Sequence, residues 1–333
     1  NDDFTREIFT QMSRSKKKIV TCRLRGPIQL NDKSEVEVEE KPYFKETCTT
    51  HYIHYFQPYT KYLHLFNLKR PFDIVHNKIK KIRLNIDFDI SPHCKSVITP
   101  SGLIYLVSGR VDDNPVGLDD SSGSLHVYHY DAETLLEKSP MIATRRRQFG
   151  LCYMSKNLFV VGGYVNGIVS NHCERYDIRS NEWLEIAPMP KKLREVSICA
   201  FNNRYIYRFF GLTAQGYIDT SIDRYDAVRD KWVSINLKDP AGALKEVYLP
   251  LCTQINQESI FIFGGKNIFG YSTQYPKGYV LKIEDKRGST TAELSETAGL
   301  NPGFVGTFNQ NHIISHNGDI LFLRESNTFL FLN

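Results

Sequence analysis

The clearest hydrophobic pattern in this chain begins near Gly150 and breaks into four short apolar runs separated by turn residues. Leu151-Cys152-Tyr153-Met154 is followed by the turn Ser155-Lys156-Asn157, and Leu158-Phe159-Val160-Val161 then ends at Gly162-Gly163. A polar loop with Asn166, Ser170 and Asn171 leads to a third run around Cys173 to Tyr176. Asp177 to Asn181 then turns the chain into Trp183-Leu184-Glu185-Ile186. Runs of this length, rich in aromatic and aliphatic residues and bounded by Gly, Asn, Asp and Ser, predict a four-stranded antiparallel meander.

The same plan returns downstream in Ser197 to Phe201, Tyr205 to Phe210, Ile222 to Tyr225 and Trp232-Val233-Ser234-Ile235. Tyr176 to Trp183 and Tyr225 to Trp232 are both steps of 7, and Gly163 to Gly211 is a step of 48. Upstream, Ser96 to Ile98 and Leu103 to Val107 end at Ser108-Gly109, with His126 to Tyr130 and Leu135-Leu136 after them. Further on, Ile260 to Phe263 end at Gly264-Gly265, and Tyr279 to Ile283 form a third strand. Two weaker copies flank these: Tyr52 to Phe56, Tyr62 to Leu68 and Phe72 to Val75 at one end, His312 to Ser315, Asp319 to Leu323 and Thr328 to Leu332 at the other. A period near 50 residues marks stacked units, each burying its faces against its neighbours. Six units account for the length. The last has only three strands, and a bare sheet edge invites pairing. Ile19-Val20-Thr21-Cys22 is the expected closing strand.

On Gly162-Gly163, Tyr176 and Trp183, and again on Phe210-Gly211, Tyr225 and Trp232, the chain resembles the kelch-repeat β-propeller family. The resemblance implies an all-β, six-bladed propeller with four antiparallel strands per blade over residues 19–333, the last blade closed by the N-terminal strand. Gly162, Gly163, Gly211, Gly264 and Gly265 read as backbone requirements, where a Cβ would block a turn or a close approach. Tyr176, Trp183, Tyr225 and Trp232 read as packing between adjacent sheets. Phe210 departs from the pattern by replacing a glycine, and Arg324-Glu325 stands where the last glycine pair would fall.

Composition fits one large β domain: of 333 residues, 41% are hydrophobic and 12% aromatic,. The net charge of +5 is too small to suggest a nucleic-acid role,. Seven cysteines without CxxC spacing point to a reducing, cytoplasmic setting and no disulfide framework,. Cys152, Cys199 and Cys252 precede the glycine motifs by similar distances and read as small fillers in equivalent strands,. No run approaches eighteen apolar residues, so no membrane span is expected. The chain opens on Asn1 instead of Met, consistent with a piece of a longer polypeptide. Residues 1–18 carry Phe4, Ile8, Phe9 and Met12 at helical spacing and a basic run from Ser13 to Lys18. They read either as a solvated lead-in or as the end of a partner-binding helix. Glu35 to Glu40, alternating with Val36 and Val38, read as an exposed strip.

No GxSxG, P-loop, GxGxxG or HExxH motif occurs,. Histidines three apart, His51 with His54 and His126 with His129, fall on opposite faces of a strand, a poor start for a shared metal,. The expectation is therefore a non-enzyme without cofactor or metal. Basic residues recur just before the first strand of successive units: Lys95, then Arg145, Arg146 and Arg147, then Lys192 and Arg194, then Lys245. Equivalent loops of a propeller emerge on one face around the central channel. These seven residues are thus expected to form a partial ring of positive charge that grips carboxylates. The opposing reading treats them as independent solvated charges pairing with local acids such as Glu195 and Glu246. The expected function is docking of a protein partner, an acidic segment, on this face. The alternative is a structural component of a cytoskeletal or ciliary assembly, held through tails and blade edges.

Overall fold

A computed structural model describes residues 52–67, 80–108, 111–116, 119–129, 132–238, 250–264, 278–286, 289–296, 308–316, 319–324 and 329–332. Every regular element among them is a strand. Three complete meanders follow the order inner, second, third, outer. They are Lys95–Ile98 with Ile104–Val107, Leu125–His129 and Thr134–Lys138; Gly150–Met154 with Asn157–Val161, Cys173–Asp177 and Glu182–Ile186; and Ser197–Phe201 with Tyr205–Phe209, Ile222–Asp226 and Lys231–Lys238. A fourth has the same order in Leu251–Asn256, Ser259–Phe263, Gly278–Lys286 and Ser289–Glu296. Three-stranded sheets lie at either end, Tyr52–Gln57 with Tyr62–Asn67 and Lys80–Arg83, and Phe308–His316 with Asp319–Arg324 and Phe329–Leu332.

The inner strands set the radial plan. Lys95–Ile98 lies beside Gly150–Met154, which lies beside Ser197–Phe201, which lies beside Leu251–Asn256. That strand neighbours Phe308–His316, which in turn approaches both Tyr52–Gln57 and Lys95–Ile98. The sheets therefore stand as wedges around a common hub, and their facing surfaces form the core.

The tyrosine and tryptophan predicted to pack between sheets do so in both copies. Tyr176 and Trp183 are directly paired across strands with ring centroids 5.3 Å apart, and Tyr225 and Trp232 repeat this at 5.2 Å. Each indole reaches the preceding repeat: Trp183 Nε1 donates to the Ser139 carbonyl at 2.7 Å and Trp232 Nε1 to the Ala187 carbonyl at 2.8 Å. Each phenol donates to the turn between the third and outer strands, Tyr176 to Asn181 Oδ1 and Tyr225 to Asp230 Oδ1, both at 2.7 Å. Tyr105 and Phe159, from the second strands of the preceding sheets, lie against Tyr176 and Tyr225 at 6.2 Å. Large rings with satisfied polar tips thus join one wedge to the next.

Several expectations change. The strand expected at Phe72 to Val75 lies outside the described residues, and the third strand of that sheet is Lys80–Arg83, paired with Tyr62 to Leu65. The closing strand Ile19 to Cys22, the lead-in 1–18 and the strip Glu35 to Glu40 also lie outside them. Ser289–Glu296, unmarked in the sequence reading, supplies a fourth strand with Ala292 and Leu294 buried at alternate positions. It also pairs in parallel with Lys231–Lys238 through Asn236–Thr291, Leu237–Ala292 and Lys238–Glu293, so two consecutive wedges share one eight-stranded sheet.

Candidate partner-binding face

Two kinds of loop meet on one face: the connection from an outer strand to the next inner strand, and the connection between second and third strands. In the Gly150–Ile186 repeat a small ladder stitches them, Arg146–Arg147 pairing with Tyr164–Val165, and Tyr164–Val165 with Ile168–Val169. In the next repeat Arg194 bridges Leu212, and Leu212 bridges Ile218. Gly163 permits the close approach. Its φ is 92°, and a Cβ there would sit 2.4 Å from the Arg147 carbonyl oxygen.

That stitching puts Arg147 and Arg194, 47 residues apart in the chain, over one aromatic ring. The Arg147 guanidinium carbon lies 4.8 Å from the Tyr164 centroid and that of Arg194 lies 5.5 Å from it. Both cations are held by the ring's negative face. Arg194 Nη1 also donates to Gln148 Oε1 at 3.3 Å and to Glu195 Oε1 at 3.1 Å. Glu195 is within electrostatic reach of Lys95, the first residue of its inner strand, as is Cys252. Burial lowers the Lys95 ammonium to about 8, against the opposing pull of those two groups. Arg145, half-buried, accepts a bond from Asn166 N at 3.3 Å through its carbonyl, and Lys192 is exposed on the same loop as Arg194. Lys245 and Gly265 lie outside the described residues.

Arg146 is a correction. It is fully buried and ion-pairs with Glu174, also fully buried, at 2.9 Å. Its guanidinium further donates to the Gly162 carbonyl at 3.3 Å and the His172 carbonyl at 3.2 Å, and its Nη2 lies 2.6 Å from His172 Nδ1. Alternation along the strand turns the middle arginine of the run inward. It braces the face from beneath and presents nothing to a partner. Part of the opposing reading also holds, because Arg194 pairs with Glu195 and Lys191 with Asp219.

The loop tips add what charge alone did not suggest. Ile168 and Tyr217 are 69% and 73% exposed, each just after a glycine with left-handed φ, Gly167 and Gly216. They crown the second-to-third-strand loops of neighbouring repeats, on the same face as Arg147 and Arg194. The signal for both was available as an Asn-Gly or Gln-Gly turn followed by a large apolar residue.

A family profile described as the kelch motif matches residues 145–190, the repeat that carries Arg147, Tyr164 and Trp183. Kelch-like protein 7 of Rattus norvegicus is 35% identical over 130 residues, 38% of this chain and 20% of that protein. Kelch-like protein 41a of Danio rerio is 26% identical over 161 residues, 46% of this chain and 25% of that protein. Kelch-like protein 4 of Homo sapiens is 30% identical over 91 residues, 24% of this chain and 12% of that protein. The chain thus spans a quarter or less of the length of these curated relatives. With its repeated Tyr–Trp pairs, its radial antiparallel sheets and its matched motif, the chain carries a kelch motif, is similar to kelch-repeat proteins and folds as a β-propeller.

Proposed function

We propose that this propeller is a protein-interaction module that docks an acidic segment of a partner on the face bearing Arg147, Arg194 and Lys95. The observation that carries this reading is the convergence of Arg147 and Arg194 on Tyr164. Holding two guanidinium groups on one ring fixes their forks in advance, so a carboxylate meets donors already ordered. Ile168 and Tyr217 extend the contact with apolar area, and Arg and Tyr beside exposed apolar groups match the composition of interface hot spots,. The partner segment is therefore acidic with at least one large apolar residue. Reversing charge at Arg147 and Arg194 together tests the reading through partner affinity and its dependence on salt.

A second reading has one observation in its favour. Leu136, Leu184 and Val233 are exposed at equivalent positions of three outer strands. Such a stripe suits an assembly held through blade edges. Leu184→Lys with Val233→Lys distinguishes the two, since it weakens edge assembly and spares the loop face.

A further inference from the structure

The hub carries a pair of thiols that the docking face does not use. Cys199 and Cys252 occupy neighbouring inner strands, Ser197–Phe201 and Leu251–Asn256. Both belong to the apolar cluster between those two wedges, Cys199 within it and Cys252 packed against it. Cys252 Sγ donates to the carbonyl oxygen of Ile198, the residue beside Cys199, at 3.4 Å, and Cys199 Sγ donates to the Ala200 carbonyl at 3.3 Å. Cys199 is buried and Cys252 half-buried, so the two differ in access. The Lys95 ammonium is within electrostatic reach of Cys252.

We infer that Cys252 and Cys199 form a peroxide-responsive dithiol, Cys252 being the attacking and Cys199 the resolving residue. The Cys252 thiolate attacks one oxygen of hydrogen peroxide. The O–O bond breaks, and the leaving hydroxide takes a proton to become water. Cys252 is oxidised to a sulfenic acid and the peroxide is reduced. Cys199 Sγ then attacks Cys252 Sγ, the S–O bond breaks, and the hydroxyl departs as a second water with the proton from Cys199. The balance is two thiols and one peroxide to one disulfide and two waters. Cys252 alongside it, with burial, raises the Cys199 thiol well above its ordinary value, which keeps it protonated until the second step. Cys152 sits in the adjacent cluster and Cys94 packs against the cluster between the first two sheets, and burial raises both thiols. They serve as internal controls. The product would tie two neighbouring wedges together at the hub.

The test treats the purified chain with a small excess of hydrogen peroxide, then maps peptides without reduction. A Cys199–Cys252 crosslinked peptide, the loss of two hydrogens from the intact mass and reversal by dithiothreitol are the expected results. With Cys199→Ser, dimedone should label Cys252 and leave Cys152 untouched. The absence of that crosslinked peptide, a crosslink through Cys152, or an unlabelled Cys252 in the Cys199→Ser protein would each overturn the assignment.

Discussion

Arg146 and Arg208 place their guanidinium groups at the same site of consecutive repeats, although they come from different elements. Arg146 comes from the loop before the inner strand and Arg208 from the second strand. Arg146 donates to the Gly162 carbonyl, the His172 carbonyl and Glu174; Arg208 donates to the Phe210 carbonyl, Ser221 and Asp223. Gly162 and Phe210 are 48 residues apart, and His172–Ser221 and Glu174–Asp223 are each 49 apart. The repeat thus keeps a buried cation–carboxylate pair beneath the loop face and lets the chain supply the cation from either side. Glu174 in turn accepts from the Ile142 and Ala143 amides at 2.8 and 3.0 Å, tying the incoming loop to the third strand.

Removing one partner of this pair leaves an uncompensated buried charge. Arg146→Met should destabilise the fold by about 3–5 kcal/mol, and Arg146→Met with Glu174→Leu by clearly less. Urea denaturation of both proteins checks the order. Equal losses in the two would mean that charge pairing is not what the site contributes.

Phe210 occupies the left-handed region, φ 52°, at the position where Gly162 has φ 61°. Its side chain is fully buried in the cluster between the third and fourth meanders. The strain of that backbone for a residue with a Cβ is about 1–2 kcal/mol, while deleting a buried phenyl group costs about 3–5 kcal/mol. Burial wins, so Phe210→Gly should lower stability by about 2–3 kcal/mol. A glycine variant at least as stable as the parent in thermal melts would show that the strain matches or exceeds the packing.

These two positions show what the sequence disclosed and what it hid. Strands, repeats and the Tyr–Trp pairs were legible because period-two alternation and a fixed spacing are local properties. The burial of Arg146 was hidden inside a run of three arginines, although alternation marks the middle one as different. The parallel junction between Lys231–Lys238 and Ser289–Glu296 joins residues more than fifty apart and leaves no local trace. Tyr164 stands directly after the glycine pair with no local mark of its own, and only the folded loops bring both arginines to its ring.

His54 is buried and donates to or accepts from Ser96 Oγ at 3.0 Å, and burial lowers it from 6.5 to about 3. The unfolded chain therefore takes up a proton that the folded chain refuses. Stability should fall as pH drops below 6.5 and continue falling to about 3,. Between pH 7 and pH 5 the loss from this group is about 2 kcal/mol. His172 acts in the opposite sense. Its bonds to Glu174 and Glu185 raise it, so its contribution is present below 6.5 and fades as pH rises through the raised value. Denaturant melts of the parent and His54→Gln at both pH values check this. The variant should show a smaller acid loss, and an unchanged loss would contradict the assignment.

Glu195 competes for Arg194 at 3.1 Å. An incoming carboxylate must displace it, and the pair is partly exposed, so its own worth is about 0–1 kcal/mol. Glu195→Gln should therefore strengthen binding of an acidic peptide severalfold. Fluorescence polarisation with a labelled Glu-rich peptide containing one leucine measures it. Weaker binding in the variant would place Glu195 on the partner's side of the contact, as a positioning group.

The docking face itself is tested most directly by titrating that same labelled peptide into the parent and into the protein carrying Arg147→Glu and Arg194→Glu. The parent should bind with an affinity that drops steeply as salt rises, and the reversed protein should lose at least tenfold in affinity together with most of that salt dependence. Equal affinities and equal salt slopes for the two proteins would contradict the role assigned to this face.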